Sequence, residues 1–183
     1  EEAYQYFQRA ADSISLFNHA GKGCFSCKNY NILFNQTSDL NTSSWISKFL
    51  SKIEFHNQDK RFQDKKLVLF ICSDSKYFQL FSEIFAKSCL LQDSDVACHF
   101  HIVNPESETF DYYSELQSLL PGLPLALSFE KIDIVNVKAY YSMVRFVRIN
   151  ELLNHYNKSV LMVDSDSVIT GNISSLTNML NSF

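Results

Sequence analysis

Two aspartates, Asp164 and Asp166, stand with one residue between them where an apolar run stops, in the stretch LMVDSDSVIT from Leu161 to Thr170. Carboxylate oxygens are hard ligands that suit Mg2+ or Mn2+. In an extended segment, side chains at i and i+2 point to the same side, so both acids can converge on one cation. A divalent cation held by few protein ligands keeps positions open for phosphate oxygens and neutralises charge on a departing nucleotide. The chain supplies its own control, because Asp93-Ser94-Asp95 is the same triplet. That copy follows a helical pattern and precedes a strand, where a turn is expected. Context separates the two: the run VLMV delivers Asp164 to the carboxyl end of a strand.

The elements that position these acids begin at Lys66. Lys66 to Cys72 is an uninterrupted run of β-formers, as expected of a strand buried on both faces. Ser73-Asp74-Ser75 reads as a turn and N-cap, followed by Tyr77, Leu80, Phe81, Ile84, Phe85 and Cys89 at helical spacing. Val96 to Val103 reads as a second strand ended by Pro105, and Asp111 to Leu120 as a helix closed by Pro121-Gly122. Leu125 to Phe129 and Ile132 to Val135 read as short strands, Val137 to Tyr156 as the longest helix, and Ser159 to Val163 as the last strand. This alternation predicts an α/β fold with a mostly parallel sheet covered by helices. Ligands of such sheets bind beyond the carboxyl ends of the strands, where Asp74, Asp164 and Asp166 fall.

Residues 1–65 differ in character. Glu1 to Leu16 is helix-like, Phe17 to Thr42 is polar and aromatic, and Trp45, Ile46, Phe49, Leu50 and Ile53 give a short helical face. Gln58 to Lys66 reads as a charged linker. Two domains are thus expected: a helical or irregular segment over 1–65, resembling the end of a helical-repeat region, and an α/β domain over 66–183. The chain has 183 residues and a net charge of −4, which argues against a nucleic-acid surface built on positive charge. No apolar run is long enough for a membrane span. Five cysteines, an odd number, fit a reducing, cytoplasmic setting better than a disulfide framework. Cys24 and Cys27 have the spacing of a metal or redox pair but stand without a second pair.

YYSMVRFVRINELL followed by SVLMVDSDSVITGNISSL resembles the nucleotide-sugar half of GT-A glycosyltransferases, the glycogenin-like and lipopolysaccharide-galactosyltransferase-like group and related bacterial enzymes. The stretch from Asp74 to Tyr77 resembles that group's D-x-x-Y turn, and CHFHIVNP its second strand. The resemblance spans about Lys66 to Phe183 and implies a hexosyltransferase using a UDP-sugar and Mn2+ or Mg2+. It implies Asp164 and Asp166 as metal ligands, with Asp164 also facing the ribose or sugar. It further implies Asp74 on the uracil, Tyr77 stacked on the base, and Arg145 on the donor sugar or diphosphate. Met143 stands where the group often has Tyr, which makes Arg148 the alternative arginine. Without the resemblance, Tyr77 reads as a core tyrosine and Arg145 as an exposed arginine paired with Glu151.

The acceptor is expected to carry a hydroxyl on a glycan, lipid or protein, and no catalytic nucleophile is apparent. Family members take a third metal ligand, usually His, from the half after the D-x-D strand, whereas residues 167–183 contain no His, Asp or Glu. The expectation is therefore a donor-binding half whose acceptor half is missing. It would bind UDP weakly, transfer no sugar alone, and self-associate through exposed apolar surface. A haloacid-dehalogenase-like phosphatase also opens on a strand and D-x-D, with Asp164 as nucleophile and Asp166 as general acid. A non-catalytic nucleotide-binding module is the third reading.

Overall fold

The computed structural model describes residues 52–133 and 137–175. Five strands form one sheet: β1 (Glu54–Gln58), β2 (Leu67–Asp74), β3 (Val96–Val103), β4 (Leu125–Glu130) and β5 (Ser159–Met162). Their spatial order is β1-β4-β3-β2-β5. β4, β3, β2 and β5 run parallel, and β1 pairs antiparallel with β4. Three helices connect them: α1 (Ser75–Gln92), α2 (Ser107–Leu119) and α3 (Val137–Tyr156). The expected α/β architecture with a mostly parallel sheet is thus present.

Seven consecutive residues of β2, Leu67 to Ser73, are buried, which is why the strand shows no polar alternation. One face of the sheet presents Leu69, Ile71, Cys98, Phe100, Ile102, Leu125 and Leu127 to Phe78, Phe85 and Cys89 of α1 and to Tyr113 and Leu116 of α2. Each large apolar side chain buried there contributes about 1.5–3 kcal/mol. The opposite face lies under α3, which buries Val144, Arg148, Leu152 and Tyr156.

Several boundaries differ from those read in the sequence. β2 runs straight into α1, so Ser73-Asp74-Ser75 is not a separate turn: Asp74 is the last strand residue, and its carboxylate accepts the Tyr77 N–H at 2.8 Å. That bond caps an otherwise unpaired amide of the first helical turn. Gln58 to Lys66 is not a linker either. Glu54–Gln58 is a strand of the sheet, and Lys60–Asp64 is a 3-10 helix capped by Asp59. α2 begins at Ser107, not Asp111, because the Glu106 N–H bonds to Thr109 Oγ1 at 3.1 Å and starts the helix inside a stretch that reads as loop. Lys131 to Asp133 is not strand. There the Asn104 amide donates to the Ile132 carbonyl and accepts its N–H, at 2.9 and 2.7 Å, tying the ends of β3 and β4 together. Asn104 itself has a φ of 53°, a left-handed conformation that asparagine tolerates. The helix expected over Glu1 to Leu16, the pair Cys24/Cys27, and Trp45 to Leu50 of the helical face expected over Trp45 to Ile53 lie outside the described residues, and Ile53 itself is not helical.

Candidate functional site

The sheet order fixes where a ligand can sit. From β2 the chain moves through α1 to β3 and through α2 to β4, stepping in one direction; α3 then carries it back across β2 to β5. The reversal leaves a crevice beyond the carboxyl ends of β2 and β5, the usual ligand position of open parallel sheets. Asp74 ends β2. β5 pairs with β2 as far as Met162 opposite Phe70, and one further bond, Val163 N–H to the Phe70 carbonyl at 2.9 Å, brings the chain to Asp164. Asp74 and Asp164 thus lie at the same edge of adjacent strands.

α3 supplies the positive charge. Arg145 donates to the Asp164 carboxylate, and its Nε donates to the Ser142 carbonyl at 3.1 Å. Its guanidinium also lies 5.4 Å from the Phe146 ring centroid. The Tyr77 ring is 6.3 Å from that of Tyr141, so α1 and α3 meet above the crevice. The Tyr141 phenol is pushed up to about 12, first by burial and then by the charges of Asp74 and Tyr77, with Arg145 opposing. Asp74, Tyr77, Tyr141, Arg145 and Asp164 therefore form one neighbourhood. Arg145 pairs with Asp164 rather than Glu151; the arginine on Glu151 is Arg148, at 2.7 and 2.8 Å. Arg148 is buried against the sheet, which removes it as the alternative donor-site arginine.

The D-x-D segment is not extended. The Ser167 N–H bonds to the Asp164 carbonyl at 3.1 Å, and Ser165-Asp166 is the turn between them. Strand alternation is therefore not what relates the two acids; they occupy the first and third positions of a β-turn. The Asp164 side chain is 64% exposed, and Asp166 is exposed too. Among the described residues no three His, Cys, Asp or Glu side chains gather into a metal cage. Asp164 and Asp166 are exposed oxygen donors in one turn, and they are the residues that would hold a Mg2+ or Mn2+ ion there, with one Asp164 oxygen now on Arg145. Such an ion would supply charge neutralisation to a bound diphosphate.

The duplicate triplet is a turn, as expected, but not an idle one. Asp93 is buried, and its carboxylate accepts the N–H groups of Asp95 at 2.9 Å and Ser174 at 2.6 Å, and the Ser174 hydroxyl at 3.1 Å. Burial pushes this carboxyl up, but the donors from Ser174, Asp95 and Ile173 outweigh it and hold the group below its ordinary value. Ser88 Oγ accepts the Ile169 N–H at 2.9 Å, so residues 169–174 are strapped to the end of α1. Asp93→Asn is expected to cost about 1–3 kcal/mol by unsatisfying these buried donors. Urea denaturation measures it, and a cost within error of zero would contradict the strap.

A cavity of about 370 Å3 opens on the same edge of the sheet, lined by Asn104, Pro105, Lys131, Ile132 and Asp133. It lies beyond β3 and β4, beside the crevice rather than at the D-x-D turn. No protein-family profile and no curated protein matches the chain. Among the described residues no helix is long and apolar enough to cross a membrane.

Sequence reasoning missed the polar side chains beneath α3. His99, His101, Ser128 and Glu130 are all fully buried. Their signal was a period of two: CHFHIV and LALSFE each place polar residues at alternate positions of an otherwise apolar strand.

Proposed function

We propose that residues 66–175 bind a UDP-sugar at the crevice beyond β2 and β5, and that the protein is a hexosyltransferase acting on a hydroxyl acceptor. The observation that carries the reading is the convergence of Asp74, Arg145 and Asp164 at the point where the strand order reverses. In this reading Asp164 and Asp166 hold Mn2+ or Mg2+ against the diphosphate. Arg145 moves from Asp164 to a phosphate or sugar oxygen, Asp74 reads the uracil edge, and Tyr77 lies on the base. Asp74 has one oxygen on the Tyr77 amide, so the base is read by a carboxylate whose orientation is already fixed.

A thermal shift with UDP and Mn2+ together, exceeding the shift with either alone or with GDP and Mn2+, tests the reading; no shift sinks it. Hydrolysis of p-nitrophenyl phosphate in the same preparation would favour the phosphatase instead. Asp74→Ala is expected to lose about 0.5–2 kcal/mol of stability with its helix cap. It should also erase the preference for UDP over GDP while sparing Mn2+ binding. A variant that keeps the full preference would remove Asp74 from the site.

A further inference from the structure

A continuous row of polar side chains runs beneath α3. Tyr156 Oη lies 2.5 Å from His99 Nδ1, and His99 Nε2 lies 2.7 Å from Ser128 Oγ. Ser128 Oγ is 2.8 Å from His101 Nδ1, and His101 Nε2 is 3.0 Å from Glu130 Oε1. The other oxygen of Glu130 accepts from Arg148 at 2.5 Å and from the Tyr140 hydroxyl at 3.1 Å. Strands β3 and β4 thus supply the middle of the row, and α3 supplies both ends.

Counting hydrogens gives the row one direction. Arg148 is always charged, and the Glu130 carboxylate paired with it only accepts. His101 must therefore donate from Nε2, which makes Nδ1 of a neutral ring an acceptor. Ser128 has one hydroxyl proton and gives it to that nitrogen. Ser128 Oγ then accepts from His99 Nε2–H, and His99 Nδ1 accepts from Tyr156. Every link is filled with both imidazoles neutral and in the Nε2–H form. An extra proton on either ring turns the Tyr156 hydroxyl from donor to acceptor at His99 Nδ1, and one on His101 also reverses the two links at Ser128, so the change is felt at the α3 end of the row.

The surroundings oppose a charged ring. Burial holds His99 well below the usual imidazole range, and the neighbouring His101 and His155 add to this. Burial lowers His101 too, with Glu130 and Glu151 opposing and Arg148 reinforcing. Cys72 faces the same layer from β2, and Phe55 of β1 stacks on His155 at 4.1 Å and meets the His99 ring at 5.9 Å.

We propose that this one-way row is a latch that positions α3 for the Arg145–Asp164 contact: Glu130 is a positioning residue acting through Arg148, about one turn along the helix from Arg145, and acid opens the latch. What Arg145 then does for a ligand rests on the UDP-sugar reading; the latch itself does not. The sign of the pH effect is fixed. Below about pH 6.5 the unfolded chain takes protons on His99 and His101 that the folded chain refuses, so stability falls as pH falls.

Three measurements on the full chain test this. Long-range 1H–15N spectra at pH 7 should show His99 and His101 as neutral Nε2–H tautomers; an Nδ1–H form of either would overturn the proton order. Hydrogen-exchange protection factors, taken from pH 7 to pH 5, should fall in α3 before they fall in β2 and β3. Ser128→Ala breaks the row without touching the Glu130–Arg148 pair. It should lower α3 protection about tenfold relative to β2 already at pH 7, the loss expected of one net hydrogen bond. Loss of α3 and strand protection together in both proteins would reduce the row to a structural network and overturn the latch. UDP–Mn2+ affinity followed in parallel separates the two proposals: if the parent protein never binds UDP, the donor reading fails, while tautomers and exchange still decide the latch.

Discussion

Arg148→Ala is expected to lower the unfolding free energy by about 3–5 kcal/mol, because it leaves the Glu130 carboxylate buried without its charged partner. Arg145→Ala, three positions away on the same helix, is expected to cost no more than about 1 kcal/mol, since its partner Asp164 is largely in water. The contrast follows from which way each guanidinium points. Arg148 enters the sheet layer, with its side chain 2% exposed and Glu130 fully buried. Arg145 reaches the crevice. Urea midpoints of the two variants at pH 7 measure the difference, and equal destabilisation would mean that α3 is seated differently. The opposite ranking is expected for ligand: Arg145→Ala should weaken UDP, the variant with the smaller structural cost.

Asp164→Asn and Asp166→Asn should each weaken Mn2+-dependent UDP binding at least about tenfold, or about 1.4 kcal/mol. Both side chains are exposed, so neither substitution should shift the urea midpoint much. Asp164→Asn also removes the charge opposite Arg145, so part of the UDP lost with the metal can return through a freer Arg145. Asp166→Asn has no such compensation and should be the more damaging of the two. Titration calorimetry with and without Mn2+ distinguishes them. If Asp93→Asn lowers UDP affinity as much as either while remaining folded, the distinction between the two D-S-D copies fails.

The elements from β2 to β5 were legible because their signals are local. A buried parallel strand is an unbroken apolar run, and α1 and α3 repeat their apolar positions at helical spacing. The strand β1 was not legible: Glu54-Phe55-His56-Asn57-Gln58 has little β propensity, and what makes it a strand is the free edge of β4, a tertiary cause. The register irregularity between Phe55 and Asn57 would have obscured its alternation in any case. The start of α2 was missed because its cap is Glu106 with Thr109, a pairing weaker in sequence than Ser or Asp followed by Glu. Asp74, Arg145 and Asp164 were named from sequence, and the fold brings them to one edge. The reason given for Asp164 and Asp166 was wrong in mechanism, since a turn and not an extended strand relates them. Arg145 and Arg148 could not be told apart by spacing, because their roles depend on Glu130, which lies on another strand.

The strap that holds residues 169–174 to α1 bears on how much a ligand must do when it arrives. Fixing one flexible residue costs about 1–2 kcal/mol of conformational entropy, and a loop free at one end would make the ligand meet that cost along its length. Here β5 holds the chain up to Met162, and Ser88 holds it again at Ile169. Only Val163 to Val168 lies between, and the Asp164–Ser167 turn already orders part of it. The acids are thus carried on a short span pinned at both ends, and the folding of the rest of the domain has already met most of the ordering cost. Losing the Ser88–Ile169 bond would lengthen the span that a ligand must freeze, whereas losing the Asp93–Ser174 bond leaves that pin in place.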